Sequence, residues 1–377
     1  MEDYSTLSDE ELLAAYNEAK HLKTVYDVSQ LVKKILLNSY YGATGSHFFR
    51  FYDIRLAQAT TLSGQNLIRT IAKNISDFVS NVVSEKTTEE NQWIVAGDTD
   101  SIYVNIYPIY AHFVLGAGKS LDESKRTDFY NGVCKTVEQK VINPTLQKLA
   151  ESLNAYQNTL AMDREVICAG SDTSGYCGFW VAKKRYALRV NDNEDFRYEH
   201  PKLKVMGLSQ VQSSTPKICR ENLNEATKLM IESGIETVRK YVKEVETEFL
   251  QKSPEEVALP RGVSNVEKYI ENGRPIKGTP VQSKAAINHN YLVKKLGLEK
   301  SIQLIRDGEK LKFLYLKPNK YNFDVIGFRD KLPKEFGLEV SVDKELHFDK
   351  AFRKPLSDML EACNWQLEEK ATIDDFF

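Results

Sequence analysis

The sequence predicts a multi-domain α+β protein, on three observations. Helical patterning with capping boxes fills the chain up to about Val83. Between Trp93 and Leu208, short runs rich in β-branched and aromatic residues read as strands. Beyond Ser213-Ser214-Thr215-Pro216, long charged amphipathic helices take over. The 377 residues allow two or three compact units with a sizeable core. Hydrophobic residues at 42% and charged residues at 28% argue for a globular chain against a disordered one. A net charge of −2 gives no global attraction to polyanions, so any nucleic-acid surface must be local. The five cysteines (Cys134, Cys168, Cys177, Cys219, Cys363) form no C-x-x-C pair, which points to a reducing compartment and away from structural zinc. The six histidines are scattered singly and read as surface or core residues. No signal peptide opens the chain and no apolar run approaches a membrane span, so a soluble cytosolic protein without membrane contact is expected.

Taken in order, Ser8-Asp9-Glu10-Glu11 is a capping box, and Asp27-Val28-Ser29-Gln30 resembles a second one. The pair predicts two antiparallel helices joined near Lys23 to Tyr26, a hairpin that protrudes from a larger body. Gly42 and Gly45 should end the second helix. A further helix is expected from Ala57 to about Val83. Two apolar runs around Gly97-Asp98-Thr99-Asp100-Ser101 predict a β-hairpin from Trp93 to Ile106. Helix should return from Ser120 to Ala155, broken near Pro144. Strands are expected over Leu160–Ala169, Gly178–Val190 and Arg197–Leu208. A long helix follows over Pro216–Phe249, then one over Ser283–Leu296 and a late strand at Lys312–Leu316.

Two stretches carry candidate chemistry. In Lys33–Thr44, Lys34, Asn38 and Tyr41 are spaced four and three residues apart, which puts an ammonium, an amide and a phenol on one helical face. Taken alone, they are better explained by an amphipathic core helix. Asp98 and Asp100 flank Thr99 at the expected hairpin tip. Two carboxylates so placed can hold a hard divalent cation, since Mg²⁺ takes one or two protein carboxylates plus water and substrate phosphate. A solvated turn or an Asx-turn without ligand are the competing readings.

The pair of motifs decides between them. K-x-x-x-N-S-x-Y-G followed by a strand-borne D-T-D-S resembles motifs B and C of the family B DNA polymerases. The resemblance continues through Met162-Asp163-Arg164-Glu165, Gly178-Phe179-Trp180, Lys183-Lys184-Arg185-Tyr186-Ala187-Leu188 and Pro201-Lys202-Leu203-Lys204-Val205-Met206-Gly207. The last two look most like the replicative polymerases of T-even-type bacteriophages. The resemblance implies a right-hand architecture: partial helical fingers over residues 1–46, the C-terminal part of the palm over 47–207, and a mainly helical thumb over 208–370. It implies templated nucleotidyl transfer on two Mg²⁺ ions. Asp100 would be a direct ligand, Asp98 a second, and Glu165 a supporting carboxylate, for which a salt bridge to Arg164 is the alternative. Lys34 would reach the triphosphate of the incoming dNTP, with Asn38 on the same face and Tyr41 against the nascent base pair. Lys183, Lys184, Arg185 and Tyr186 would grip primer-template DNA, with backbone contacts from Lys204, Lys277 and Lys284. Lys184 would also help order the active site, as would Asp192.

The residues at the end, Thr372-Ile373-Asp374-Asp375-Phe376-Phe377, place Ile373 and Phe376 on one side of a single turn, a small apolar plug for a partner's groove or a frayed tail. The pattern resembles the sliding-clamp peptide of replicative polymerases, with Lys370 where glutamine is usual, so residues 371–377 are expected to bind a clamp through Ile373, Phe376 and Phe377. The family's D-x-x-S-L-Y-P-S stretch, with its further metal-binding aspartate, is missing from the sequence, as are the other fingers helix and the exonuclease motifs. The expectation is therefore the C-terminal subunit of a split polymerase, inactive alone, working in the cytoplasm of an infected bacterium with an N-terminal subunit. The competing expectation is a catalytically silent fragment that grips DNA and the clamp.

Overall fold

The computed structural model describes residues 7–85 and 93–368. In chain order, the helices α1 (Asp9–Thr44) and α2 (Ile54–Val83) precede the strands β1 (Ile94–Asp98) and β2 (Ser101–Val104). Then come α3 (Tyr107–Tyr110), α4 (Glu123–Val137) and α5 (Asn143–Ser152). Four strands follow: β3 (Val166–Ile167), β4 (Gly178–Ala182), β5 (Arg185–Asn193) and β6 (Phe196–Met206). After them lie α6 (Lys217–Glu232), α7 (Ile235–Gln251), α8 (Pro254–Val257), β7 (Leu259–Gly262), β8 (Ile270–Glu271), β9 (Arg274–Pro275) and α9 (Val281–Lys295). The chain closes through β10 (Lys310–Tyr315), β11 (Val325–Phe328), α10 (Lys344–Phe348) and α11 (Lys354–Ala362). The fold is thus α+β. It divides into two compact units, residues 1–105 with 139–161, and residues 106–138 with 162–377.

In the first unit α2 is the spine. Asp53 caps it, accepting from the Arg55 N–H at 2.9 Å. Hydrogen bonds from the Arg55 side chain and backbone hold the Asp53 carboxyl down at about 2. Ile71, Ile75, Val79 and Val83 recur every four residues and are buried, forming one apolar stripe. Trp93 is fully buried and donates from Nε1 to Ser80 Oγ at 2.7 Å, fastening the base of the β1–β2 hairpin to α2. α5 is buried through Leu146 and Ala150, and Asn74 of α2 donates to its Thr145 at 2.8 Å.

In the second unit, β5 pairs antiparallel with β3, β4 and β6, and a second antiparallel sheet runs β11-β10-β7. α9 packs on β11. The main core joins Leu223, Ala226, Val238, Val242, Phe249, Phe313, Phe328, Phe348 and Phe352, with Phe348 stacked on Phe352 at 5.1 Å. A smaller cluster gathers Tyr110, Val114, Tyr130, Ile167 and Ala169. All five cysteines are free thiols, and burial raises Cys219 to about 12. No described helix is long and apolar enough to cross a membrane.

Several expectations need correction. α1 is one continuous helix of 36 residues, with no turn near Lys23 to Tyr26. No glycine or proline lies between Asp9 and Tyr41, so nothing there breaks the helix, and a mid-chain capping pattern does not by itself end one. Thr24 simply bonds back to the Lys20 carbonyl at 2.9 Å. Gly42 lies inside the last turn, and Gly45 caps it with an ordinary right-handed φ of −87°. The long helix over Pro216–Phe249 is two helices, because Ser233-Gly234 separates α6 from α7 and Gly234 adopts φ +83°. Around Pro144 there is no break. A π-helical turn, Glu138–Ile142, leads into α5, whose first turn holds the proline where its missing N–H is not needed. The strand expected over Leu160–Ala169 shrinks to β3, and Gly178–Val190 is a hairpin, β4 and β5.

Candidate active site

The last three turns of α1 carry Lys34, Asn38 and Tyr41, and the helix's continuity keeps them on one face. Thr44 is buried and donates to the Tyr41 carbonyl at 2.8 Å, while its own carbonyl accepts from the Asp53 N–H at 3.0 Å. Tyr41 is 46% exposed, and its hydroxyl shares a 2.8 Å hydrogen bond with Thr61 of α2. The phenol is therefore pinned. Lys34 and Asn38, further back along the helix, are exposed and make no hydrogen bond or ion pair among the described residues. An unpaired ammonium beside an amide is available for an anionic ligand.

The second element is the β1–β2 tip. Asp98 pairs with Ser101 and Gly97 with Ile102, so Thr99 and Asp100 form the loop. The Asp100 N–H donates back to the Asp98 carbonyl at 2.5 Å across Thr99, whose φ is +44°. That is a γ-turn of the strained, positive-φ kind, on a β-branched residue that rarely adopts it. Such strain persists where the surroundings over-determine it, and it gathers at functional sites. Thr99 Oγ1 donates to Asp98 Oδ1 at 3.0 Å, and Ser101 Oγ donates to the Asp98 carbonyl at 3.2 Å. Asp98 is half-buried and Asp100 exposed. The donor set is two carboxylates at a turn, which suits a hard cation completed by water and substrate phosphate. No group of three or more His, Cys, Asp or Glu converges among the described residues.

Both elements belong to the first unit. They meet α2 at separate places, Tyr41 at Thr61 and the hairpin base at Ser80, about 28 Å apart along the helix at 1.5 Å per residue. Neither Lys34 nor Asn38 touches the aspartate turn.

The other expected site residues lie in the second unit. Lys183 and Lys184 are not on a strand; they form the exposed turn between β4 and β5, Lys184 with φ +63°. Gly207 lies against this turn. A Cβ there would come within 2.3 Å of the Lys184 carbonyl, and its φ of +65° also favours glycine. Tyr186 is buried against Trp180, with ring centroids 5.7 Å apart, so its ring offers no outward stacking surface. Arg185 is half-exposed and 3.9 Å from Asp358. Lys204 donates to Glu165 at 2.6 Å, so the partner of Glu165 is Lys204 rather than Arg164. Lys277 is exposed, and Lys284 is paired with Asp324 at 2.5 Å.

Asp192 is 3% exposed and lies between two guanidiniums, accepting from Arg164 at 2.5 Å and from Arg197 at 3.3 Å. Arg164 also reaches Asp195, and Arg197 reaches Asp128 at 2.7 Å. Burial pulls the Arg197 pKa down, but the hydrogen bonds to Asp128 and Asp192 outweigh it and hold it above its usual value. A second cluster ties Arg189 to Glu123 at 2.6 Å and to Glu232 at 3.0 Å, with Asn191 also on Glu123. Sequence reasoning missed these clusters. Their signal was the alternation of Arg189 and Asn191 on a strand whose neighbours Leu188 and Val190 are core residues. Ile373, Phe376, Phe377 and Lys370 lie outside the described residues.

The comparisons with known proteins bear on this arrangement. The model of DNA polymerase family B matches residues 11–146, a span that contains both the α1 face and the aspartate turn. The DNA-directed DNA polymerase of Enterobacteria phage T4 is 33% identical over 100% of this chain, and that of Escherichia phage RB69 is 32% identical over 93% of it. The DNA polymerase delta catalytic subunit of Dictyostelium discoideum is 22% identical over 92% of the chain. The chain spans 42% and 38% of the length of the two phage relatives. With the motif-bearing segment matched by the family model and the whole chain aligned to T4-like enzymes, the protein belongs to DNA polymerase family B.

Proposed function

We propose that this chain is the C-terminal portion of a replicative DNA-directed DNA polymerase, extending a primer against a template. Its residues 1–46 would form part of the fingers, 47–207 part of the palm, 208–370 the thumb and 371–377 a sliding-clamp tail. The observation that carries the reading is the strained aspartate turn, held to the same helix as an exposed lysine–asparagine–tyrosine face, in a chain of this family. Asp98 and Asp100 would hold Mg²⁺, which when bound steadies the attacking and leaving oxygens of an in-line transfer. Lys34 would neutralise charge growing on the leaving pyrophosphate, with Asn38 beside it. Tyr41, fixed by Thr61, presents a rigid edge for the shape of the nascent base pair. Lys183 and Lys184 at their turn would contact backbone phosphates, with Lys204, Lys277 and Lys284. Glu165, engaged by Lys204, would serve as the supporting carboxylate, and Asp192 would hold Arg164 and Arg197 in place around it.

We further infer that a separate N-terminal polypeptide supplies the missing aspartate, the other fingers helix and the exonuclease. Two features support this. The aspartate turn has two carboxylates, too few to hold two cations in line. The second is the helix α1, which leaves Val28, Leu31, Val32, Ile35, Leu36, Leu37 and Tyr40 exposed alongside its polar Lys34–Asn38 face. Exposed apolar surface of this extent marks a place where another protein segment packs. The phage relatives set the expected location in the cytoplasm of an infected bacterium. The test mixes the chain with a polypeptide carrying the missing segment and follows primer extension. Extension should require both chains and Mg²⁺, and Asp100→Ala should abolish it; extension that survives this substitution would sink the reading.

A further inference from the structure

In the second unit, a cavity of about 400 Å³ opens beside β9, α9 and the loop before β11. Arg274, Lys284, Asn288, Tyr321, Phe323 and Asp324 line it. We propose that it takes one unpaired nucleotide of a single-stranded nucleic acid, with its base against Tyr321 and its phosphate at Arg274.

Charge is the first argument. The Arg274 guanidinium lies over Tyr291, 3.9 Å from the ring centre, and 4.9 Å from that of Phe323, without a carboxylate partner among the described residues. The acid at the cavity, Asp324, is taken by Lys284. Lys295 and Lys320 stand 5.5 and 5.0 Å from the Tyr321 ring centre. The local surplus is positive, and Arg274, fixed by stacking, is ready for a phosphate. The rings are the second argument. Tyr321 is half-buried, and its ring lies 5.8 Å from that of Phe323 and 31° from parallel. Phe323 is itself buried behind it, so the Tyr321 ring is the surface on which a flat base can stack. The third is Asn288, which is 1% exposed. Its amide donates to the Val325 carbonyl at 2.8 Å, while its Oδ1 is buried without a partner. A buried acceptor left open calls for a donor. The exocyclic amine of a base supplies one, whereas a phosphate or an acidic side chain does not. The volume fits a single nucleotide. A paired base would have neither its stacking face nor its edge free, so the site selects an unpaired one.

This inference does not rest on the polymerase reading. Strand binding needs neither Mg²⁺ nor triphosphate, so primer extension can fail while it holds. The experiment titrates the full chain, in chelator, with a labelled short oligo-dC, with an abasic strand of equal charge, and with a duplex. The base-bearing strand should bind about tenfold tighter than the abasic one. Tyr321→Ala should erase most of that difference, whereas Arg274→Gln should weaken the base-bearing and the abasic strand alike. A strand bearing 5-iododeoxycytidine should photocrosslink to Tyr321 in the unsubstituted chain, which decides the matter if a variant misfolds. Equal binding of base-bearing and abasic strands would overturn the proposal, as would crosslinks confined to other residues. Displacement by polyglutamate with no dependence on the bases would assign the cavity to an acidic peptide instead.

Discussion

Single residues set how this chain responds to its surroundings, and His347 shows the physics most plainly. Its ring is fully buried, and its Nε2 accepts from the Tyr315 N–H at 2.7 Å. The neutral ring therefore carries its proton on Nδ1, which is buried without a partner. Burial pushes the pKa down from 6.5 to about 4, with Asp343 opposing the shift. Between those values the unfolded chain binds a proton that the folded chain refuses. Stability is thus complete above pH 6.5, falls as the pH drops toward 4, and loses nothing more from this group below that. The whole effect is of the order of 3 kcal/mol. Thermal melts between pH 7 and 4 should show this decline. His347→Gln, which keeps an acceptor near Tyr315, should flatten it; an unchanged slope would assign the acid sensitivity elsewhere.

At the level of elements, turns and junctions decide what the sequence pattern leaves open. The β4–β5 turn exists in its observed form because Gly207 lets β6 come against the Lys184 carbonyl. Gly207→Ala should displace that turn and cost about 1–3 kcal/mol, through both the positive φ and the close approach. Duplex affinity should fall with it at a temperature where the variant is still folded; unaltered affinity would remove the two lysines from DNA contact. α2 was legible from its four-residue apolar stripe, and the β1–β2 hairpin, α9 and β10 from apolar runs set off by polar or turn-forming flanks. The placement of Lys34, Asn38 and Tyr41 on a helix and of Asp98 and Asp100 at a hairpin tip was legible from the local spacing of the two motifs, even though α1 was expected as two helices. What escaped was decided by longer-range packing. Lys183 and Lys184 read as strand because apolar residues flank them on both sides, yet the chain reverses there. Ser233-Gly234 was hidden inside a charge pattern that carries on past it. Arg164 and Arg197 meet Asp192 from distant positions, and spacing along a chain says nothing about such a meeting.

Across the whole molecule, burial is distributed very unevenly. The second unit holds a broad aromatic core, whereas α1 has a single buried residue, Thr44, at its far end. Hydrogen exchange should therefore find the amides of α1 least protected and those of α6 and α7 most protected. Adding the N-terminal polypeptide should slow exchange across Leu12 to Tyr40; no change there would mean that this helix is not the joining surface. Truncation before Ile373 should weaken clamp binding and leave extension of short primers unaltered, and an unaltered clamp affinity would refute the role of the tail. The bare apolar length of α1 also bears on the fate of the chain after synthesis. A helix showing leucine, isoleucine and tyrosine to water is the kind of surface that chaperones hold and proteases clear. On the proposal that a separate N-terminal polypeptide covers this helix, surplus copies would be short-lived, and turnover rather than transcription would set the ratio of the two chains.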